Sequence, residues 1–116
     1  MRKLILAAVA LVMMGGAGYA GAVGGPKRST TRVKARTTDV YTISFRGGES
    51  ARITVAGDGD TDLDLYVYDE FGNLIASDDD NTDYCVVSWT PRFTGPFTVR
   101  VVNRGSVYNE YRLTTN

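Results

Sequence analysis

Apolar and polar residues alternate along most of this chain with a period of two, the signature of strands with one buried face. Tyr41, Ile43 and Phe45 alternate with Val40, Thr42 and Ser44. Ala51, Ile53 and Val55 alternate with Arg52 and Thr54, and Leu63, Leu65 and Val67 with Asp64, Tyr66 and Tyr68. A short return strand is expected from Leu74 to Ser77, and a strand rich in β-formers from Tyr84 to Thr90. Phe97, Val99 and Val101 alternate with Thr98, Arg100 and Val102, and Val107 to Thr115 closes the series with Tyr108, Tyr111 and Leu113 as packing residues. Turn residues punctuate the runs. Gly47-Gly48 suggests that the first two strands pair, and Asp69 to Asn73 reads as a tight hairpin with Gly72 or Asn73 at the positive backbone angle. No helical period is sustained in these runs. About seven to eight short antiparallel strands at regular spacing define an all-β, jelly-roll-like β-sandwich. Trp89, Phe93 and Phe97 are assigned as a group to its core.

The N-terminus follows a different pattern. Arg2 and Lys3 precede an apolar run from Leu4 to Met14, the length of a signal-peptide core and too short for a membrane span. Ala20-Gly21-Ala22 fits the small-x-small rule for cleavage, and Gly18-Tyr19-Ala20 is a second candidate. The expected organisation is a signal peptide at 1–22, a flexible basic arm at 23–38 and a sandwich domain at 39–116. The arm is read from its Gly, Pro, Ser, Thr, Lys and Arg content, which leaves little to bury. Export to the periplasm or the cell exterior follows.

Charge sharpens the picture. Removing Arg2 and Lys3 with that segment leaves 11 basic residues against 13 acidic, a net charge of −2. Lys27, Arg28, Arg32, Lys34 and Arg36 crowd the arm, whereas Gly57 to Asp83 carries many carboxylates and no Lys or Arg. This segregation argues against a nucleic-acid-binding surface. Cys85 is the only cysteine, so no internal disulfide is available. Its place in an apolar strand marks it as a buried residue. With no histidine in the chain, Ser-His and Cys-His nucleophilic pairs are excluded and a zinc site lacks its commonest ligand. A catalytic role is not expected.

The carboxylates require neutralisation by water and salt, by arginines or by a cation. Calcium takes six to eight oxygen ligands, which Asp-rich loops supply. Asp60, Asp62, Asp78 and Asp80 are the first candidates, with Asp58, Asp64 and Asp83 next. Asp58, Asp60 and Asp62 match the opening spacing of a helix–loop–helix calcium site, but Leu63 stands where that loop needs glycine and a strand follows where it needs a helix. Any site must draw ligands from both acidic loops. The competing expectation is a solvated acidic rim partly paired with Arg52, Arg92, Arg100 and Arg112.

The run Gly57-Asp58-Gly59-Asp60-Thr61-Asp62-Leu63-Asp64-Leu65-Tyr66-Val67-Tyr68-Asp69, followed by Gly72-Asn73-Leu74-Ile75-Ala76-Ser77-Asp78-Asp79, resembles the bacterial pre-peptidase C-terminal domain. Trp89-Thr90-Pro91 and Gly95 to Val101 are similar to that family's closing hairpin, so the likeness spans roughly 40–116. It implies a jelly-roll-like sandwich beside a secreted peptidase, similar to calcium-binding modules of secreted collagenases. The expectation is a secreted, non-catalytic binding or accessory module, calcium-stabilised in one version. Its partner would be an extracellular protein or polysaccharide, or a separately encoded peptidase. The alternative is a structural or interaction protein of the cell envelope with no metal site.

Overall fold

A computed structural model describes residues 21–116 and the backbone of the strand Lys3–Ile5. The strands are β1 (Lys3–Ile5), β2 (Arg28–Val33), β3 (Thr38–Phe45), β4 (Ala51–Ala56), β5 (Leu63–Tyr68), β6 (Leu74–Asp78), β7 (Tyr84–Trp89), β8 (Gly95–Asn103) and β9 (Asn109–Thr115). They form two sheets, one ordered β1-β3-β8-β5-β6 and the other β2-β9-β4-β7. All pairs among β2–β9 are antiparallel, and β1 lies parallel to β3. The all-β sandwich expected from the alternation is the architecture observed.

Each sheet turns its apolar alternate residues inward. Tyr41, Ile43, Phe45, Leu63, Leu65, Val67, Phe97, Val99 and Val101 come from the first sheet. Val33, Ala51, Ile53, Val55, Cys85, Val87, Tyr111 and Leu113 come from the second, and all these residues are buried. At roughly 25 cal/mol per Å² of apolar surface removed from water, this shared layer drives the two sheets together. The core also contains one polar chain. Tyr111 Oη donates to Asp39 Oδ2 at 2.7 Å and lies 2.6 Å from Tyr41 Oη. With the Tyr111 proton committed to Asp39, Tyr41 is the donor in that second bond. Burial pushes the Tyr111 phenol far above its ordinary range, so it stays a neutral donor.

Several expectations are corrected. β3 and β4 do not pair with each other. β3 pairs with β8 over Thr38–Phe45, β4 pairs with β7 and β9, and the two lie in different sheets. The chain crosses between sheets at Gly47-Gly48, where Gly48 has φ 81 and its N–H donates to Pro91 O at 2.7 Å. A Cβ on Gly47 would collide with the Phe93 backbone. An apolar face on each strand suits a hairpin or a sandwich equally well, and only the ladder partners decide. Phe93 and Tyr108 are exposed, contrary to their assignment to the packed interior. Trp89 and Phe97 do pack, edge to face with Phe45 at 4.9 and 6.0 Å between ring centres.

The basic arm is a strand over much of its length. β2 pairs with β9 from Arg28↔Thr114 to Val33↔Asn109, and Val33 is fully buried. Its inward positions are Ser29, Thr31 and Val33, so the composition looks like a linker while the period is that of a strand. Tertiary pairing supplies what its own hydrophobicity lacks. The domain therefore begins before residue 39. Ala22 is fully buried and bridges Phe45, its N–H donates to Asn116 O at 2.9 Å, and Gly21 O accepts from Arg46 N at 2.9 Å. Residues 1–2 and 6–20, which contain most of the expected signal peptide, lie outside the described residues.

Candidate functional site

Strand register gathers the acidic loops at one end of the sandwich. Leu63 pairs with Asn103, Leu65 with Asp78, Ala56 with Tyr84 and Val33 with Asn109. The loops 34–37, 57–62, 79–83 and 104–108 therefore emerge side by side. The seven candidate aspartates all lie at this pole; six of them divide into two groups, and Asp60 joins by its backbone.

Asp58 and Asp83 form the first group, organised by the buried Asn109. Asp58 Oδ1 accepts from Asp60 N at 3.0 Å and its Oδ2 from Glu110 N at 2.9 Å. Asp83 Oδ2 accepts from Gly59 N at 2.6 Å and from Asn109 Nδ2 at 3.1 Å. Asn109 Oδ1 accepts from Asp58 N at 3.1 Å, while Nδ2 also donates to Thr61 Oγ1 at 3.0 Å. A Cβ on Gly57 would run into the Asp83 carboxylate, so glycine is what lets that group approach the backbone. These carboxylates brace loops. They satisfy amides that the ends of β4 and β9 leave unpaired.

Asp62, Asp64, Asp78 and Asp80 form the second group, close enough to act on one another and on Cys85. Burial, followed by the neighbouring Asp64 and Asp80, raises Asp62 above the ordinary carboxylate range, with Arg104 opposing them. Burial, then Asp78, Asp80, Asp64 and Asp62, pushes the Cys85 thiol up to about 12. Its Sγ donates to Leu63 O at 3.2 Å, the buried and inert thiol expected from its strand. Asp78 Oδ2 accepts from Val86 N at 2.9 Å and so closes the outer edge of β7. Asp80 Oδ1 accepts from Thr82 N and Oγ1, both at 3.0 Å. Asp60 enters through its backbone donation to Asp58 alone.

Asp64 holds the one strong ion pair here. Its side chain is 6% exposed and Oδ2 accepts from Arg104 Nε at 2.7 Å. Arg104 also reaches Tyr66 Oη at 3.1 Å. Among the described residues the other ion pair is Arg32–Glu110 at 3.8 Å, on the surface. Arg104 is thus the cation paired with Asp64, and among the described residues none of Arg52, Arg92, Arg100 or Arg112 forms an ion pair. Arg104 escaped the sequence reading because it lies 40 positions from Asp64. The hydrogen-bonding asparagines Asn103 and Asn109 escaped it too, and their only sequence signal is a polar residue at a strand end.

Among the described residues, no group of three or more Asp, Glu or Cys side chains is placed to hold a metal ion. Two buried oxygens, Asp62 Oδ1 and Asp64 Oδ1, have no hydrogen-bond partner. The pole as it stands is a hydrogen-bonded loop cluster with two unspent acceptors rather than a preformed cage.

The two-sheet sandwich is a fold that the chain shares with solved structures. No family model and no curated sequence matches this chain. Its fold is shared with the pre-peptidase C-terminal domain of a Bacillus anthracis collagenase, at 18% identity and TM-score 0.57 over 77% of this chain and 89% of that one. It is shared more fully with Aeromonas hydrophila PliG, a periplasmic inhibitor of g-type lysozyme, at 12% identity and TM-score 0.63 over 99% and 95% of the two chains. An Escherichia coli PliG mutant matches at 13% identity and TM-score 0.55 over 100% and 98%.

Proposed function

We propose that this chain is an exported, non-catalytic module that works by binding another protein. The observation that carries the reading is the shared fold along essentially the whole chain with a periplasmic lysozyme inhibitor, and over 77% of it with a collagenase accessory domain. The site chemistry supports it. The pole's carboxylates are engaged with loop amides and Arg104. They therefore act as structural braces that hold loops in one shape, which lowers the ordering cost of binding. The collagenase that contains the pre-peptidase C-terminal domain and the g-type lysozyme that PliG inhibits suggest a peptidase and a lysozyme as the two partner classes.

The test is titration of the mature chain against purified g-type lysozyme by calorimetry, with lysis of a cell-wall suspension measured in parallel. A complex of micromolar or tighter affinity, about −8 kcal/mol or better, with lysis suppressed, supports the inhibitor form of the reading. No complex with lysozyme but binding to a secreted peptidase supports the accessory form. No complex with either sinks the proposal.

Calcium stabilisation is a second reading on narrower ground: the partnerless buried oxygens of Asp62 and Asp64, near Asp80. Thermal unfolding in chelator, in about 10 mM calcium and in about 10 mM magnesium separates the outcomes, since extracellular calcium modules bind at roughly 0.1–1 mM. A calcium-specific rise lost in Asp62→Asn supports the reading. An equal response to magnesium, or none, removes it.

A further inference from the structure

We propose that the exposed margin of the β5–β6 hairpin, centred on Phe71, Leu74 and Ile75, is a docking surface for a cationic protein. The inference rests on the protein-binding reading and names the surface and the partner's chemistry.

Among the described residues the exposed large apolar side chains are Phe71, Leu74, Ile75, Tyr84, Phe93, Val107 and Tyr108, and three of these seven fall within five consecutive positions here. Phe71 is 80% exposed, Leu74 54% and Ile75 39%. The backbone explains why neighbours in sequence are both exposed. Tyr68 pairs with Leu74 and Val67 with Ala76, so the register shift leaves Ile75 as an extra residue on β6. A bulge interrupts strict alternation and turns both side chains outward. It also spoils the edge as a template for adding a strand, so recognition falls to the side chains.

The turn that presents Phe71 is rigid. Asp69 Oδ1 accepts from Phe71 N and Asn73 N, both at 2.9 Å, and its Oδ2 from Asn73 Nδ2 at 3.0 Å. Gly72 takes the positive φ of 87° that closes the turn. A depression of about 350 Å³ lined by Tyr68, Asp69, Glu70, Gly72, Thr98 and Arg100 opens beside it.

Other strand margins are treated differently. β2 presents Arg28 and Arg32 to solvent, and the β7 edge amide of Val86 is taken by Asp78. β6 has neither a lysine nor a proline, the usual protections of an edge.

Charge selects the occupant. Residues 69–83 contain Asp69, Glu70, Asp78, Asp79, Asp80 and Asp83 and no Lys or Arg. No ion pair among the described residues involves them. The apolar margin has Asp69 and Glu70 at its turn end and Asp78, Asp79 and Asp80 at its pole end, against the single Arg100 of the adjoining depression, so it is complementary to apolar residues set among lysines or arginines and repels anionic lipid and nucleic acid. A cationic protein surface meets both demands.

The test uses the mature chain labelled for amide NMR and three 12-residue probe peptides: alternating lysine–leucine, lysine–serine and glutamate–leucine. The lysine–leucine peptide is expected to shift resonances of residues 69–80. Its affinity should fall at least tenfold in about 0.5 M salt, where screening acts within a few ångströms, and at least tenfold in Leu74→Ser/Ile75→Ser. Phe71→Ser is a second variant, at a fully solvated turn, with spectral dispersion as the check on folding. Equal binding of lysine–serine or glutamate–leucine, shifts confined to residues 57–62, or indifference to these substitutions would overturn the proposal. A lysozyme complex unaffected by the same variants overturns this surface while leaving the protein-binding reading intact. A peptide held at the hairpin by a chain that binds no lysozyme leaves the surface standing and removes the inhibitor form.

Discussion

Arg104 reaches across from the β8–β9 loop to place Nε 2.7 Å from the Oδ2 of Asp64, whose side chain is almost entirely withdrawn from solvent. The pair ties that loop to the start of β5. Arg104 N also donates to Asp62 O at 3.0 Å, so the same residue holds the acidic loop by its backbone. Replacing Arg104 with methionine keeps the backbone bond and strands a buried carboxylate. The expected loss is about 1–3 kcal/mol, below the range for fully buried pairs because the guanidinium is half exposed. Urea unfolding should recover part of that loss in Arg104→Met/Asp64→Asn, where the unpaired charge is gone. Equal midpoints for wild type and Arg104→Met would show the pair to be worth nothing.

Asp62 gives a pH signature. Its folded-state pKa lies above the ordinary aspartate value of 3.8, chiefly because burial disfavours the charge. A carboxyl with a raised folded pKa binds its proton more readily folded than unfolded. Its charge therefore costs stability above the folded pKa, and the cost is relieved as pH falls toward 3.8. Without calcium, Asp62→Asn should raise Tm at pH 7, and the gain should shrink as pH falls through the folded value toward 3.8 and be gone below it. Asp69 behaves oppositely. Hydrogen bonds from Asn73 lower it, so its contribution is present above the unfolded value and lost as pH falls through the lower, folded one. An Asp69→Asn variant should lose its disadvantage in acid, and acid titration of Tm for both variants checks the two signs together.

The Cys85 thiol should be silent in the native state. It is fully buried, donates to Leu63 O and is pushed up to about 12. At pH 8 an aromatic disulfide reagent is expected to react no faster than the domain opens, with full reaction in denaturant. Rapid stoichiometric labelling without denaturant would contradict the packing.

Export processing should leave Gly21 as the first residue. A cut after Ala22 would remove the core residue that bridges Phe45 and bonds Asn116. The second small-residue candidate, ending at Ala20, preserves both contacts. It also preserves Gly21, whose φ of 91° and close approach to Asn116 admit no side chain. Intact-mass measurement of the exported chain distinguishes the cuts by the two residues Gly21 and Ala22. A mass beginning at Val23 refutes the expectation.

Strand existence was legible in the sequence because burial on one face leaves a period of two in the residues themselves. β3, β4, β5 and β8 follow from that pattern nearly to their ends, and the tight hairpin follows from Gly72-Asn73, of which the structure gives Gly72 the positive φ. The acidic pole was legible as composition, since Gly57 to Asp83 announces its charge directly. What the alternation could not determine was partnership. A strand with one apolar face carries no mark of which other strand lies beside it or across from it. So β3 and β4 look like a hairpin until their ladders are seen, and β2 looks like a linker until β9 pairs with it. The roles of the aspartates were likewise settled only in three dimensions. Asp58, Asp64, Asp78, Asp80 and Asp83 find backbone amides, polar side chains or a guanidinium only in the folded chain, and Asp64 and Arg104 meet because β5 pairs with β8. Residue chemistry is local and survives in the sequence; the contacts that give it a use are long-range and exist only in the folded chain.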